Sequence, residues 1–189
     1  MAFMAKTRAQ AHYNAGTRIL VNTPSRQKDF AQAVKHLQKA VKLDPGFADA
    51  FHNLAHVWYQ LAEYNIAVTA IQGVRLNPQY AEDSIGAALE SALDAVDRAL
   101  EIRYEFPQAH NTRAMVLAKL FRLNEAMEAA ELALSQYPDY DNARDNREKI
   151  KEMIKERAAL PGYKNERSFL EKIKELRKTQ SAIWKDLMK

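Results

Sequence analysis

Two histidines one helical turn apart, His52 and His56, come nearest to chemistry by type and spacing. At i and i+4 on a helix, two imidazoles can grip one metal ion. That role also needs further ligands. No glutamate follows His52, and His12, His36 and His110 fall at no ligand spacing. The pair therefore reads as the polar side of a helix, with no metal expected. There is no Gly-x-Gly-x-x-Gly, no phosphate loop and no nucleophile elbow. There is also no cysteine, which removes thiol chemistry, disulfides and zinc fingers. The carboxylates sit among basic neighbours on helix faces that water should cover. An enzyme is not expected, nor a cofactor.

The helix that carries His52 shows what positions these residues. Phe51, Leu54, Ala55 and Trp58 fall at i, i+3, i+4 and i+7, one buried stripe opposite the two histidines. A small residue recurs in such stripes, at Gly16, Ala55 and Ala114. There it lets a neighbouring helix approach closely. A second kind of helix follows each first one. Phe30-x-x-Ala33, Tyr64-x-x-Ala67 and Leu123-x-x-Ala126 place a large residue before a small one, and apolar residues continue at steps of three and four. Pro45, Pro78 and Pro138 then mark stops, because proline cannot continue a helix.

The register shows a repeat with two irregularities. Ala33 and Ala67 are 34 residues apart, and so are Ala92 and Ala126, but Ala67 and Ala92 are only 25 apart. About one helix is missing from that interval, and Ala81–Tyr104 reads as one long helix or a stub running into a full one. The stretch from Gly16 to Ala33 is five residues longer than its counterparts, an insertion near the turn-rich Val21–Ser25.

These residues resemble the tetratricopeptide repeat, a helix–turn–helix with the pattern W-x2-L-G-x2-Y, A-x3-F, P. The likeness runs through Ala9–Pro45, Ala48–Pro78 and Pro107–Pro138, with Arg113 where a leucine is usual. It implies an all-α, right-handed solenoid of about three hairpins, one incomplete, with capping and amphipathic helices at the C-terminal end. It also implies a concave groove lined by the first helices. Helical phase then puts Tyr13, Asn14 and Thr17, then Asp49, His52, Asn53, His56 and Tyr59, then Asn111, Thr112, Met115 and Lys119 on that groove. In peptide-binding members of the family an asparagine at the place of Asn14 and Asn53 holds the ligand backbone. Members that bind chaperone tails clamp a terminal carboxylate with basic groove residues. Here Tyr13 and Thr17 stand in two of the clamp positions, so that ligand is not expected. The implied function is a non-catalytic scaffold, adaptor or chaperone-like module that holds a peptide or helix of a partner protein.

Charge divides the chain differently. Residues 1–143 carry 14 Lys+Arg against 16 Asp+Glu, whereas residues 144–189 carry 14 against 8. The charged helix Asp141–Arg157 reads as a cap, Leu160–Tyr163 as a turn and Glu166–Met188 as a basic amphipathic helix. The domains are thus 5–158 and 159–189. Phe169, Ile173, Leu176, Ile183, Trp184 and Leu187 form an apolar stripe that needs cover. It could dock on the protein's own groove, on a second subunit or on a membrane surface. The basic surface leaves a nucleic-acid accessory role as an alternative, though no nucleic-acid motif supports it. No apolar run approaches the roughly 20 residues of a membrane span. The opening residues lack the apolar core of a signal peptide, so a cytoplasmic protein is expected.

Overall fold

Alanine, leucine, lysine and glutamate favour helix, and glycine and proline are scarce enough to act only as punctuation. The computed structural model describes residues 2–22, 26–72, 78–160, 164–165, 167–168 and 171. Its long elements are all α-helices: α1 (Ala2–Val21), α2 (Gln27–Leu43), α3 (Ala48–Gln72), α4 (Pro78–Ile102), α5 (Pro107–Lys119), α6 (Leu123–Gln136) and α7 (Asp141–Ala158). Pro78 and Pro107 open α4 and α5, where the missing N–H costs nothing. Pro45 and Pro138 lie just beyond the ends of α2 and α6.

Three hairpins, α1/α2, α3/α4 and α5/α6, stack side by side, and α7 packs on α5 and α6. The first helices also touch one another in sequence: α1 on α3, α3 on α5, α5 on α7. They form one layer of the solenoid, and α2, α4 and α6 form the other. The core between the layers is made of the periodic residues. Ala33, Leu37, Ala55, Val57, Ala92, Val96, Ala114, Leu117 and Ala126 are fully buried. The small positions have a steric reason. A Cβ on Gly16 would stand 2.7 Å from Leu37 Cγ and 3.3 Å from the Ala33 carbonyl oxygen. Arg113, which replaces a leucine, turns to Asp97 of α4 with an Nε–O distance of 2.7 Å.

The α5–α6 turn closes as a Schellman motif. Phe121 N–H donates to the Ala118 carbonyl at 3.0 Å and Arg122 N–H to the Leu117 carbonyl at 2.9 Å. Phe121 sits at φ 60°, a left-handed position that glycine usually takes.

The middle hairpin corrects the sequence reading. The repeat pattern predicts a turn before Tyr64-x-x-Ala67, but α3 runs through it for 25 residues without a break. Gln60-Leu-Ala-Glu-Tyr64 contains neither glycine nor proline, so nothing stops the helix. Ala33, Ala92 and Ala126 are sealed, whereas Ala67 is exposed. The 25-residue interval thus reflects fusion. One long α3 pairs with one long α4, which covers the helix predicted at 81–104. Against the 13-residue α5, the pair extends roughly 18 Å further at 1.5 Å per residue. Ala62, Ala88 and Leu89 give that extension a small core of its own.

Candidate functional site

Each first helix carries a polar stripe opposite its buried one, and the layer brings these stripes together. Their members repeat at i, i+3, i+4 and i+7: Gln10, Tyr13, Asn14, Thr17 on α1; Asp49, His52, Asn53, His56 on α3; Gln108, Asn111, Thr112, Met115 on α5. Hydrogen bonds step from helix to helix across them. Asn53 Nδ2 donates to Thr17 Oγ1 at 2.9 Å, joining α1 to α3. His52 Nε2 meets Thr112 Oγ1 at 3.0 Å, joining α3 to α5. Asn146 Nδ2 donates to Asn111 Oδ1 at 3.0 Å, joining α5 to α7.

The His52 bond fixes a tautomer. Thr112 has one hydroxyl proton and donates it to the Gln108 carbonyl at 3.0 Å. His52 must therefore donate from Nε2, which leaves Nδ1 as the ring's acceptor. Burial holds this imidazole neutral and pushes its pKa down to about 4. His56 and Arg103 add to the shift, and Asp49 opposes it. His56 is also lowered by burial. The ring of His52 leans on Phe106, with centroids 4.8 Å apart.

A cavity of about 400 Å³ opens between α3, α5 and α7. Of the residues the sequence predicts for the groove, it brings together His52, His56, Asn111, Thr112 and Met115, and Gln108 joins them. Asn53 and Thr17 lie further along the same layer, bonded to each other. Asn14 is exposed and accepts from Gln10 at 2.9 Å. Tyr13 packs on Phe47 at 4.8 Å between centroids. Two predicted residues are held in ion pairs. Asp49 receives both terminal nitrogens of Arg103, at 2.7 and 3.3 Å. Lys119 pairs with Glu63 at 2.8 Å. Tyr59 is partly buried, and burial with Glu63 nearby raises its pKa to about 12, so it stays a neutral hydroxyl.

The remaining wall was missed from sequence. Tyr140, Asn142, Asp145, Asn146 and Lys149 line the cavity from α7. The signal existed: Asn142, Asp145, Asn146 and Lys149 repeat the i, i+3, i+4, i+7 stripe, and Asn146 is 34 residues after Thr112. The helix does cap the array, since Ala143 and Ile150 are buried against it. It also continues the polar layer. Among the described residues no group of three His, Asp or Glu side chains could hold a metal ion, and no helix is long and apolar enough to cross a membrane. The stripe residues Phe169, Ile173, Leu176, Ile183, Trp184 and Leu187 lie outside the described side chains.

Stacked helical hairpins now meet an independent match. Residues 26–61 fit a family described as TPR repeat, and residues 107–140 fit one described as tetratricopeptide repeat. The chain carries tetratricopeptide repeats. The second match ends one residue before α7 begins. No curated protein sequence matches. Solved repeat domains match in fold. The first TPR of Spaghetti (RPAP3), bound to an HSP90 peptide SRMEEVD, is 16% identical with a TM-score of 0.60, over 79% of this chain and 94% of that one. The TPR2B domain of yeast Sti1 in complex with pHsp70 is 15% identical with a TM-score of 0.58, over 78% and 98%. The Sgt2 TPR domain from Aspergillus fumigatus is 15% identical with a TM-score of 0.59, over 83% and 87%.

Proposed function

We propose that this tetratricopeptide-repeat protein is a non-catalytic interaction module that holds a segment of a partner protein in the trough lined by α1, α3, α5 and α7. The observation that carries this reading is the cavity of about 400 Å³ between α3, α5 and α7. Its walls are neutral amides, hydroxyls and unprotonated imidazoles, with one cation, Lys149, and one anion, Asp145. Such groups suit the alternating N–H and C=O of an extended peptide backbone, which needs both acceptors and donors. His52 Nδ1 supplies an acceptor, and Asn146 and Tyr140 supply mixed character.

Two similar domains are solved with chaperone peptides, one ending in Glu-Glu-Val-Asp. The present trough differs in charge. Tyr13 and Thr17 occupy two of the expected clamp positions, Asn53 is spent on Thr17, and Lys119 is spent on Glu63. The preferred ligand is therefore an internal stretch of chain with a single acidic side chain, which Lys149 reads, and otherwise uncharged residues.

A phage-displayed peptide library panned against the full chain tests this reading, followed by fluorescence anisotropy on the selected peptides. Selected peptides should lose at least tenfold in affinity for Asn111→Ala and for Lys149→Ala. The peptide SRMEEVD should bind more weakly than they do. Enrichment of nothing, or of peptides indifferent to both substitutions, removes the trough from the account.

A further inference from the structure

The layer formed by α2, α4 and α6 changes sign along the array. Residues 1–47 carry 8 Lys+Arg against 2 Asp+Glu, whereas residues 48–140 carry 6 against 13. On α2 the cations form one stripe. Lys28, Lys35, Lys39 and Lys42 fall at i, i+7, i+11 and i+14, opposite the buried Ala33, Leu37 and Ala40, and all four are exposed. Among the described residues none of these lysines meets a carboxylate. On α4 the anions form the matching stripe. Glu90, Asp94, Asp97 and Glu101 fall at i, i+4, i+7 and i+11, opposite the buried Ala92, Val96 and Ala99. Asp97 meets Arg113 and Glu101 meets Arg98, whereas Asp94 is exposed and without an ion pair among the described residues.

The two stripes also share a register. Counted from the sealed Ala33, Ala92 and Ala126, Lys35 stands at the height of Asp94 and Glu128, and Lys42 at the height of Glu101. One outer position is thus positive on α2 and negative on α4 and α6. A partner for this face must carry both signs. A duplex nucleic acid or an anionic bilayer broad enough to cover α2 would also lie over the carboxylates of α4, the next helix of the layer. Neither stripe exposes a large apolar side chain, which an interfacial membrane helix needs. A surface with a positive and a negative stripe at equal heights is complementary to itself. A two-fold axis parallel to the helices, midway between α2 and α4, sets each stripe against its opposite and makes every contact twice.

We infer that this outer face is a docking surface for a second copy of the chain, with Lys35 and Lys42 of α2 facing Asp94 and Glu101 of α4 across a two-fold axis. Exposed ion pairs are individually weak and no apolar core supports them, so the dimer is reversible and sensitive to salt. The trough lies on the opposite layer and stays open in both copies. The inference is therefore independent of what the trough binds.

Sedimentation equilibrium of the full chain tests it, in a concentration series at about 20 mM and about 500 mM salt, where charges are felt over roughly 20 Å and roughly 4 Å. The wild type should dimerise at least tenfold more tightly in low salt. Lys35→Glu/Lys42→Glu should weaken that dimer at least tenfold, and so should Asp94→Lys/Glu101→Lys. Combining all four substitutions in one chain leaves the net charge unchanged and exchanges the two stripes, so the dimer should return. The substituted positions are exposed, and urea unfolding checks that each variant is folded. A wild type that stays monomeric in low salt overturns the proposal, whether or not Lys35 and Lys42 bind duplex RNA or phosphatidylserine vesicles. A dimer indifferent to the paired substitutions overturns it too. So does a combined variant that is folded yet remains monomeric.

Discussion

Protonating His52 should cost this protein stability over a defined pH window. Its imidazole is pushed from the usual 6.5 to about 4, first by burial between α3, α5 and Phe106, then by His56 and Arg103. The unfolded chain takes up this proton near pH 6.5, and the folded chain resists until about pH 4. Between those values the unfolded state binds more protons, so stability rises with pH across the window. The contribution is complete above pH 6.5 and is lost as pH falls through the folded value. A shift of this size corresponds to about 3 kcal/mol at 1.36 kcal/mol per unit. His52→Gln isolates the effect, because the amide can keep an N–H near Thr112 Oγ1 and does not titrate. Urea unfolding of both proteins from pH 8 to pH 4 measures the difference. Above pH 7 the two curves should run parallel. Toward pH 4 the wild type should lose about 3 kcal/mol relative to the variant. A constant difference across the whole range would show that His52 is not held neutral, and the tautomer assignment would fall with it.

Other substitutions probe the packing. Gly16→Val pushes a side chain into Leu37, 2.7 Å from the added Cβ, and should cost about 1–3 kcal/mol in thermal or urea unfolding. Ala126→Leu, at a sealed position, should cost about the same, but Ala67→Leu, exposed on the fused α3, should stay within about 0.5 kcal/mol. Equal costs at the two alanines would mean that α3 breaks after all and Tyr64–Ala67 folds back. Arg103 holds Asp49 and lies 3.7 Å above the Phe106 ring, yet both charged side chains are more than 40% exposed. Arg103→Ala should therefore cost no more than about 1 kcal/mol in urea unfolding.

How much of this was legible in the sequence depended on which signals are local. The buried stripes were readable because three- and four-residue spacing is a property of one helix. Phe51, Leu54, Ala55 and Trp58 mark α3 whatever packs on it. The 34-residue spacing pairs Ala92 with Ala126, both sealed in the structure, and Ala33, also sealed, with Ala67. Ala67 carries the same local pattern and is exposed, because exposure depends on whether a turn forms. Gln60–Tyr64 lacks a residue that would enforce one. In the trough, the phase of each first helix placed His52, His56, Asn111, Thr112 and Met115 on one cavity. The ion pairs that occupy Asp49 and Lys119 were not visible, since Arg103 lies just past the end of α4 and Glu63 on the fused part of α3, and the α3/α4 hairpin sets where both face. The α7 wall was missed because its high charge reads as solvated surface, although its polar stripe keeps the 34-residue step from α5.

The claim on which the account rests is that one layer of first helices, α7 included, forms the ligand surface. An NMR titration of the labelled full chain with a library-selected peptide tests it most directly. Shifts should concentrate on α3, α5 and α7, with the side-chain amides of Asn111 and Asn146 among the largest. Saturable binding whose shifts fall on α2, α4 and α6, and spare those two amides, would contradict it.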